Sequence, residues 1–85
     1  MEVTVYGPLR GATGGKTVNI SFEGGKVREA LDALVAAYPR AERYLFDDGV
    51  LEPSVRVTVD GESASADDDC PADAEVSVHP AMQGG

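Results

Sequence analysis

The sequence predicts an α+β fold, a mixed sheet of four to five strands with one main helix laid across one face. Three observations carry this. Apolar residues alternate near both ends of the chain, at Val3 and Val5 and again at Val76 and Val78. One stretch between them switches to helical spacing, with Val27, Leu31, Leu34, Val35 and Tyr38 on a single stripe. The 85-residue length allows one core and is too short for two.

Each element follows in order. Glu2, Thr4 and Tyr6 interleave with Val3 and Val5 as in a half-buried strand, and Gly7-Pro8 stops it. Gly11 to Gly15 reads as a flexible connection. Thr17 to Phe22 alternates again, with Val18, Ile20 and Phe22 on one side, and a hairpin with the first strand is the simple pairing. The helix follows Gly24-Gly25 and ends at Pro39, because the residue before a proline is pushed out of helical geometry. Its start is poorly marked: Lys26 is no N-cap, although Glu29 and Asp32 suit the helix dipole. Ala41 to Phe46 is expected to make a short second helical turn, and Asp47-Asp48-Gly49 a chain reversal. Val55, Val57 and Val59 define a third strand, and Asp60-Gly61 signals a hairpin into a short edge strand, Glu62 to Ala64. Asp67 to Asp73 reads as loop; Glu75 to His79 is the last strand, ended by Pro80. If the first and last strands pair in parallel at the centre, this order is a β-grasp. The expected organisation is a domain over residues 1–79 and a flexible tail over 80–85.

Charge narrows the function. The formal net charge is -8, and no Lys or Arg follows Arg56, whereas Asp60, Glu62, Asp67, Asp68, Asp69, Asp73 and Glu75 do. Such a surface repels phosphate backbones and anionic membranes, which argues against direct nucleic-acid or lipid binding. A partner docking on the C-terminal half is expected to be basic there. The plainer reading of the acidity is solubility, including in the high salt of a halophilic cytoplasm. The first residues lack the basic and apolar regions of a signal peptide, and Ala33 to Tyr38 is too short to span a bilayer, so a cytoplasmic protein is expected.

Conventional catalysis has little to work with. One His and one Cys cannot make a catalytic triad, no phosphate-binding glycine loop is present, and no cysteine cluster can hold a metal. No catalytic residue and no bound cofactor or metal is expected. Asp67-Asp68-Asp69 lacks the spacing of a calcium loop and reads as solvated. Cys70 lies between Asp69 and Pro71, where a thiolate is disfavoured, so it reads as a small core residue. His79, by alternation, points away from the helix-covered face; it is either an idle surface histidine or a partner contact beside the tail.

The tail, Pro80-Ala81-Met82-Gln83-Gly84-Gly85, is the informative element. At about 7% glycine, a Gly-Gly end arises by chance in roughly one chain in 200, so a frayed end or a cloning scar is the competing account. Glycine has no Cβ and lets a backbone thread a narrow tunnel. A carboxylate on such an end can reach the α-phosphate of ATP inside another protein and become a mixed anhydride. Sulfur, or through an enzyme an amine, can then take the acyl group.

The residues also carry a resemblance. Tyr6-Gly7-Pro8-Leu9-Arg10 with Gly14-Gly15, Val27 to Leu34 through Tyr38-Pro39, Val59-Asp60-Gly61-Glu62 and Glu75-Val76 before the glycine tail stand in a familiar order. The sequence resembles the MoaD/ThiS sulfur carriers, and most closely their ubiquitin-like archaeal branch, the small archaeal modifier proteins. The resemblance implies a ubiquitin-like β-grasp and adenylation of Gly85 by a ubiquitin-activating-type enzyme that uses ATP. Sulfur from a cysteine desulfurase or rhodanese type of donor then makes a C-terminal thiocarboxylate (1-thioglycine). It implies transfer to the large subunit of molybdopterin synthase for molybdenum cofactor synthesis, to tRNA, or conjugation by an isopeptide bond to lysines of target proteins. Gly84 takes the spacer role, and Gln83, Met82, Pro80, His79 and Arg10 are the expected docking residues. Three departures stand out: His79, Pro80 and Ala81 replace the usual aromatic and two prolines, Asp73-Ala74-Glu75 lacks the usual turn glycine, and Cys70 occupies a leucine site. An acidic interaction domain with an incidental Gly-Gly is the remaining alternative.

Overall fold

Residues from the two ends of the chain meet at the centre of the sheet. The computed structural model describes residues 1–80. Strand β1 (Glu2–Val5) leads into a one-turn helix, α1 (Leu9–Thr13), then β2 (Thr17–Asn19), the two-residue β3 (Gly25–Lys26) and the main helix α2 (Val27–Ala37). A 3₁₀ turn (Pro39–Ala41) and α3 (Glu42–Leu45) follow, then β4 (Phe46–Asp47), β5 (Val50–Leu51), β6 (Arg56–Val59), β7 (Glu62–Ala64), β8 (Asp69–Cys70) and β9 (Glu75–His79). The main sheet runs β2-β1-β9-β6-β7. β1 and β9 are parallel, with Val3 opposite Val76 and Val5 opposite Val78, and the other pairs are antiparallel. This is the β-grasp that the two alternating ends predicted.

The alternation works as the pleat requires. Val3, Val5, Val18, Val57, Val76 and Val78 are all buried on the face that Leu31 and Leu34 of α2 cover. Leu9 and Leu45 close the ends of that core. Each fully buried leucine or valine removes enough apolar surface to contribute roughly 1.5–3 kcal/mol before entropy is counted.

Three expectations are corrected. The segment Gly11 to Gly15 is not a loose connection, because most of it belongs to α1 or its cap. Leu9 and Thr13, four apart, both face the core, and Gly14 at φ 81° ends the turn by donating to the Arg10 carbonyl. The Thr13 hydroxyl lies 3.0 Å from the Leu9 carbonyl and 2.8 Å from that of Gly15, and satisfies one at a time. The second strand stops at Asn19 rather than Phe22, although Ile20 is still buried and donates to the Met1 carbonyl. The loop Asp67 to Asp73 contains β8, which pairs with β3.

That pairing explains the unmarked helix start. The first amides of a helix have no partner within it. Here the Lys26 N–H donates to the Glu29 carboxylate at 2.8 Å, and the Val27 and Arg28 N–H groups donate to the carbonyls of Asp68 and Ala66, each at 2.9 Å. The acidic loop thus caps two amides from far along the chain, while Glu29 reaches back to Lys26, which stands at the N-cap position after all. Gly25 makes this possible: at φ 154°, a Cβ there would stand 2.7 Å from Glu29 Oε1.

Two small hairpins complete the frame. Asp48-Gly49 and Asp60-Gly61 both have positive φ at each residue, the type I′ geometry that suits a two-residue hairpin. The first joins β4 to β5, a pairing the sequence shows only as a turn.

Candidate functional site

Strand β9 decides where the tail begins. It lies between β1 and β6, so Pro80 follows from the middle of the sheet rather than from an edge. Pro80 is buried, and a Cβ on Gly7 would stand 3.4 Å from its Cγ; Gly7 itself turns at φ 59°. The Tyr6 N–H extends the parallel ladder by donating to the Val78 carbonyl at 3.2 Å. The root of the tail is thus clamped on its β1 side by backbone as well as packing.

The uncovered face of the sheet is graded along the strands. At the tail end, the rings of Tyr6 and His79 stack with centroids 4.1 Å apart and planes 6° apart. The Arg10 guanidinium sits 5.9 Å from the Tyr6 ring centre, and Arg56 is paired directly across from His79. Across the middle, Thr17, Thr4, Ser77, Thr58 and Ser63 form one row of hydroxyl residues, one from each strand. At the far end, Glu2 lies opposite Glu75, and the Asp60 carboxylate accepts the Glu75 N–H at 2.9 Å.

The structure therefore brings together three of the residues singled out for docking, His79, Pro80 and Arg10. Met82, Gln83, Gly84 and Gly85 lie outside the described residues. Sequence reasoning missed Tyr6 and Arg56 as part of this patch. Residues 6 and 79 share the outward parity of their strands, but only the parallel β1–β9 register makes them neighbours. The acidic residues of the C-terminal half gather at the far end, around Glu75 and Asp60, whereas at the tail root the neighbouring charged side chains are Arg10 and Arg56.

Cys70 is buried beneath α2, as its sequence surroundings predict. Burial pushes its thiol above the ordinary value, and the Asp60 carboxylate adds to that, so the sulfur stays protonated and is a poor nucleophile. The Lys26 ammonium and the Asp69 carboxylate pair at 2.8 Å on the surface, which raises the first and lowers the second, chiefly through their hydrogen bond. Among the described residues no three His, Cys, Asp or Glu side chains gather as metal ligands. None of their helices is long and apolar enough to cross a membrane. A concavity of about 470 Å³ beside β7 is lined by Phe46, Val50, Leu51, Val55 and Ala64 among others, and by none of the described tail-root residues.

Comparison with known proteins agrees with this geometry. The family model described as "ThiS family" matches residues 3–85. Small archaeal modifier protein 1 of Haloferax volcanii is 36% identical over 87 residues, covering 100% of both chains. A crystal structure of that archaeal protein superposes with a TM-score of 0.86 at 34% identity, over 100% of this chain and 98% of the other. The solution structure of a small archaeal modifier protein 1 from Methanosarcina acetivorans gives a TM-score of 0.82, covering 99% and 94% of the two chains; at 22% identity it speaks for the fold alone.

Proposed function

The chain belongs to the ThiS family, and from that premise we propose that it is a ubiquitin-like sulfur carrier, a protein co-substrate whose reacting group is the carboxylate of Gly85. The observation that supports this most is the placement of the tail root. A central strand, held on both sides, presents Pro80, where the tail begins, beside a stacked Tyr6–His79 pair flanked by Arg10 and Arg56. A partner enzyme that reads this patch grips the chain five residues before Gly85.

The chemistry belongs to the partner. A carboxylate oxygen of Gly85 attacks the α-phosphate of ATP, and pyrophosphate leaves. The persulfide sulfur of the donor then attacks the acyl carbon and the bond to AMP breaks; a second thiol of the donor cleaves the sulfur–sulfur bond, leaving a thiocarboxylate on this chain and a disulfide on the donor. This chain contributes a narrow end and a rigid root, and no catalytic side chain. Gly84 is the spacer: a Cβ there would widen the chain where a tunnel wall must approach it. The proposed acceptor of the sulfur is the molybdopterin precursor, reached through a synthase large subunit.

A second reading has its own support. The Haloferax volcanii relative at 36% identity is named a modifier protein. On that reading an adenylated Gly85 is passed to lysines of other proteins as an isopeptide, and both outcomes can share one activated end.

The test is ATP–pyrophosphate exchange by the host's adenylating enzyme, followed by intact mass after a sulfur source is added. Exchange that depends on this chain, with one oxygen replaced by sulfur, supports the carrier reading. Gly85–Lys branches in host lysate proteins support the modifier reading. Exchange that ignores the chain overturns both.

A further inference from the structure

The chain carries three primary amines: the terminus of Met1 and the side chains of Lys16 and Lys26. The structure treats them unequally. The Met1 ammonium is partly buried and donates to the Ile20 carbonyl at 3.0 Å. The Lys26 ammonium donates to Asp69 at 2.8 Å, and that contact, with the charges of Asp69, Asp67 and Glu29, holds it in the protonated form. Lys16 is exposed, and its ammonium has no hydrogen-bond or ion-pair partner among the described residues.

Its surroundings also favour approach. The Lys16 carbonyl accepts the Val5 N–H at 2.8 Å, so its backbone is fixed at the free edge of the sheet. Before it come Gly14 and Gly15; a Cβ on Gly14 would meet nothing within 4 Å. Because Val5 also pairs with Val78, Lys16 lies at the same end of the sheet as Pro80, outside the central strand pair. With no side chain at Gly14 or Gly15, the approach to Lys16 from that side is open to a second backbone.

We propose that Lys16 is the amine of this chain that accepts the activated glycyl end of a second copy, so that copies can be joined Gly85 to Lys16. This rests on the reading that Gly85 is adenylated. The unprotonated Lys16 Nζ attacks the acyl carbon of the adenylate. A C–N bond forms, the C–O bond to AMP breaks, AMP leaves, and the amine proton passes to water.

The experiment incubates the full chain with its adenylating enzyme and ATP, without a sulfur source, then digests with a glutamyl endopeptidase. Cleavage after Glu75 leaves residues 76–85 as a branch on the acceptor, which tandem mass spectrometry locates. The branch is expected on Lys16, and Lys16→Arg is expected to lower the joined product by about threefold or more, while Lys26→Arg leaves it nearly unchanged. Asp69→Asn should raise branching at Lys26 by about two- to fivefold, the range an exposed ion pair can supply. A branch mainly on Lys26 or Met1, or a product indifferent to Lys16→Arg, overturns the proposal. Pyrophosphate exchange without any branched product overturns it too and leaves the carrier reading intact. Absence of exchange removes both.

Discussion

Strand β9 has two faces with different surroundings. Val76 and Val78 point into the core and are almost wholly buried, while Ser77 and His79 point outward and are half-buried among hydroxyls, a tyrosine and arginines. The same five residues set stability on one side and, on the proposed reading, recognition on the other. The covered face is held by packing that a single methylene can disturb. The open face has mostly small polar side chains, so changes there should alter what the protein binds far more than whether it folds.

The largest effect should come from the covered face. Leu34 is fully buried on α2, so Leu34→Ala is expected to cost about 3 kcal/mol, read from urea unfolding. A loss under about 1 kcal/mol would mean the helix does not carry the core as described.

Cys70 lies on the covered side and should behave as packing. Cys70→Ala is expected to cost about 1–2 kcal/mol and to leave sulfur transfer intact. The pH dependence has a definite sign. Folding raises the thiol's pKa, so the stabilisation is fully present below the unfolded thiol value, about 8.5, and is lost as pH rises through the folded one. Unfolding curves of wild type and Cys70→Ala should therefore converge as pH climbs above that value. If they stay parallel, the sulfur is not kept neutral by the fold.

On the open face, Tyr6→Ala should cost less than about 1.5 kcal/mol beyond the area lost, the scale of one aromatic stack. It should nonetheless weaken binding to the adenylating enzyme, measured by titration calorimetry, more than Leu34→Ala does in the fraction that remains folded. Equal binding by Tyr6→Ala and wild type would remove the tail-root patch from recognition.

Salt should give a smaller shift shared by both faces. The net charge of -8 makes the compact state repel itself, and screening relieves this. The melting midpoint should rise gradually across a sodium chloride series; a falling midpoint would show that ion pairs outweigh repulsion.

These two faces were not equally legible in the sequence. Val3, Val5, Val76 and Val78 announce themselves because strand burial has a period of two, and Leu31 and Leu34 because helical burial has its own. The Asp60-Gly61 hairpin was readable from turn chemistry alone. The helix cap was not, since Ala66 and Asp68 supply backbone carbonyls and any residue has one. Nor was β8, because two residues are too few to show a period. Within the site, His79, Pro80 and Arg10 came from position beside the tail and from family resemblance. Tyr6 and Arg56 needed the register that sets them beside His79.

The central claim, that the folded body and the reacting end are separable, is tested most directly by deleting Gly84 and Gly85 and measuring two things on the same sample. Differential scanning calorimetry should give a melting temperature close to that of wild type, because the described core ends with Val78 and Pro80. Intact mass after incubation with the adenylating enzyme, ATP and a sulfur source should show sulfur in place of one oxygen for wild type and no change for the deletion. If the shortened chain is thiolated as well as wild type, the reacting group is not the Gly85 carboxylate and the account fails.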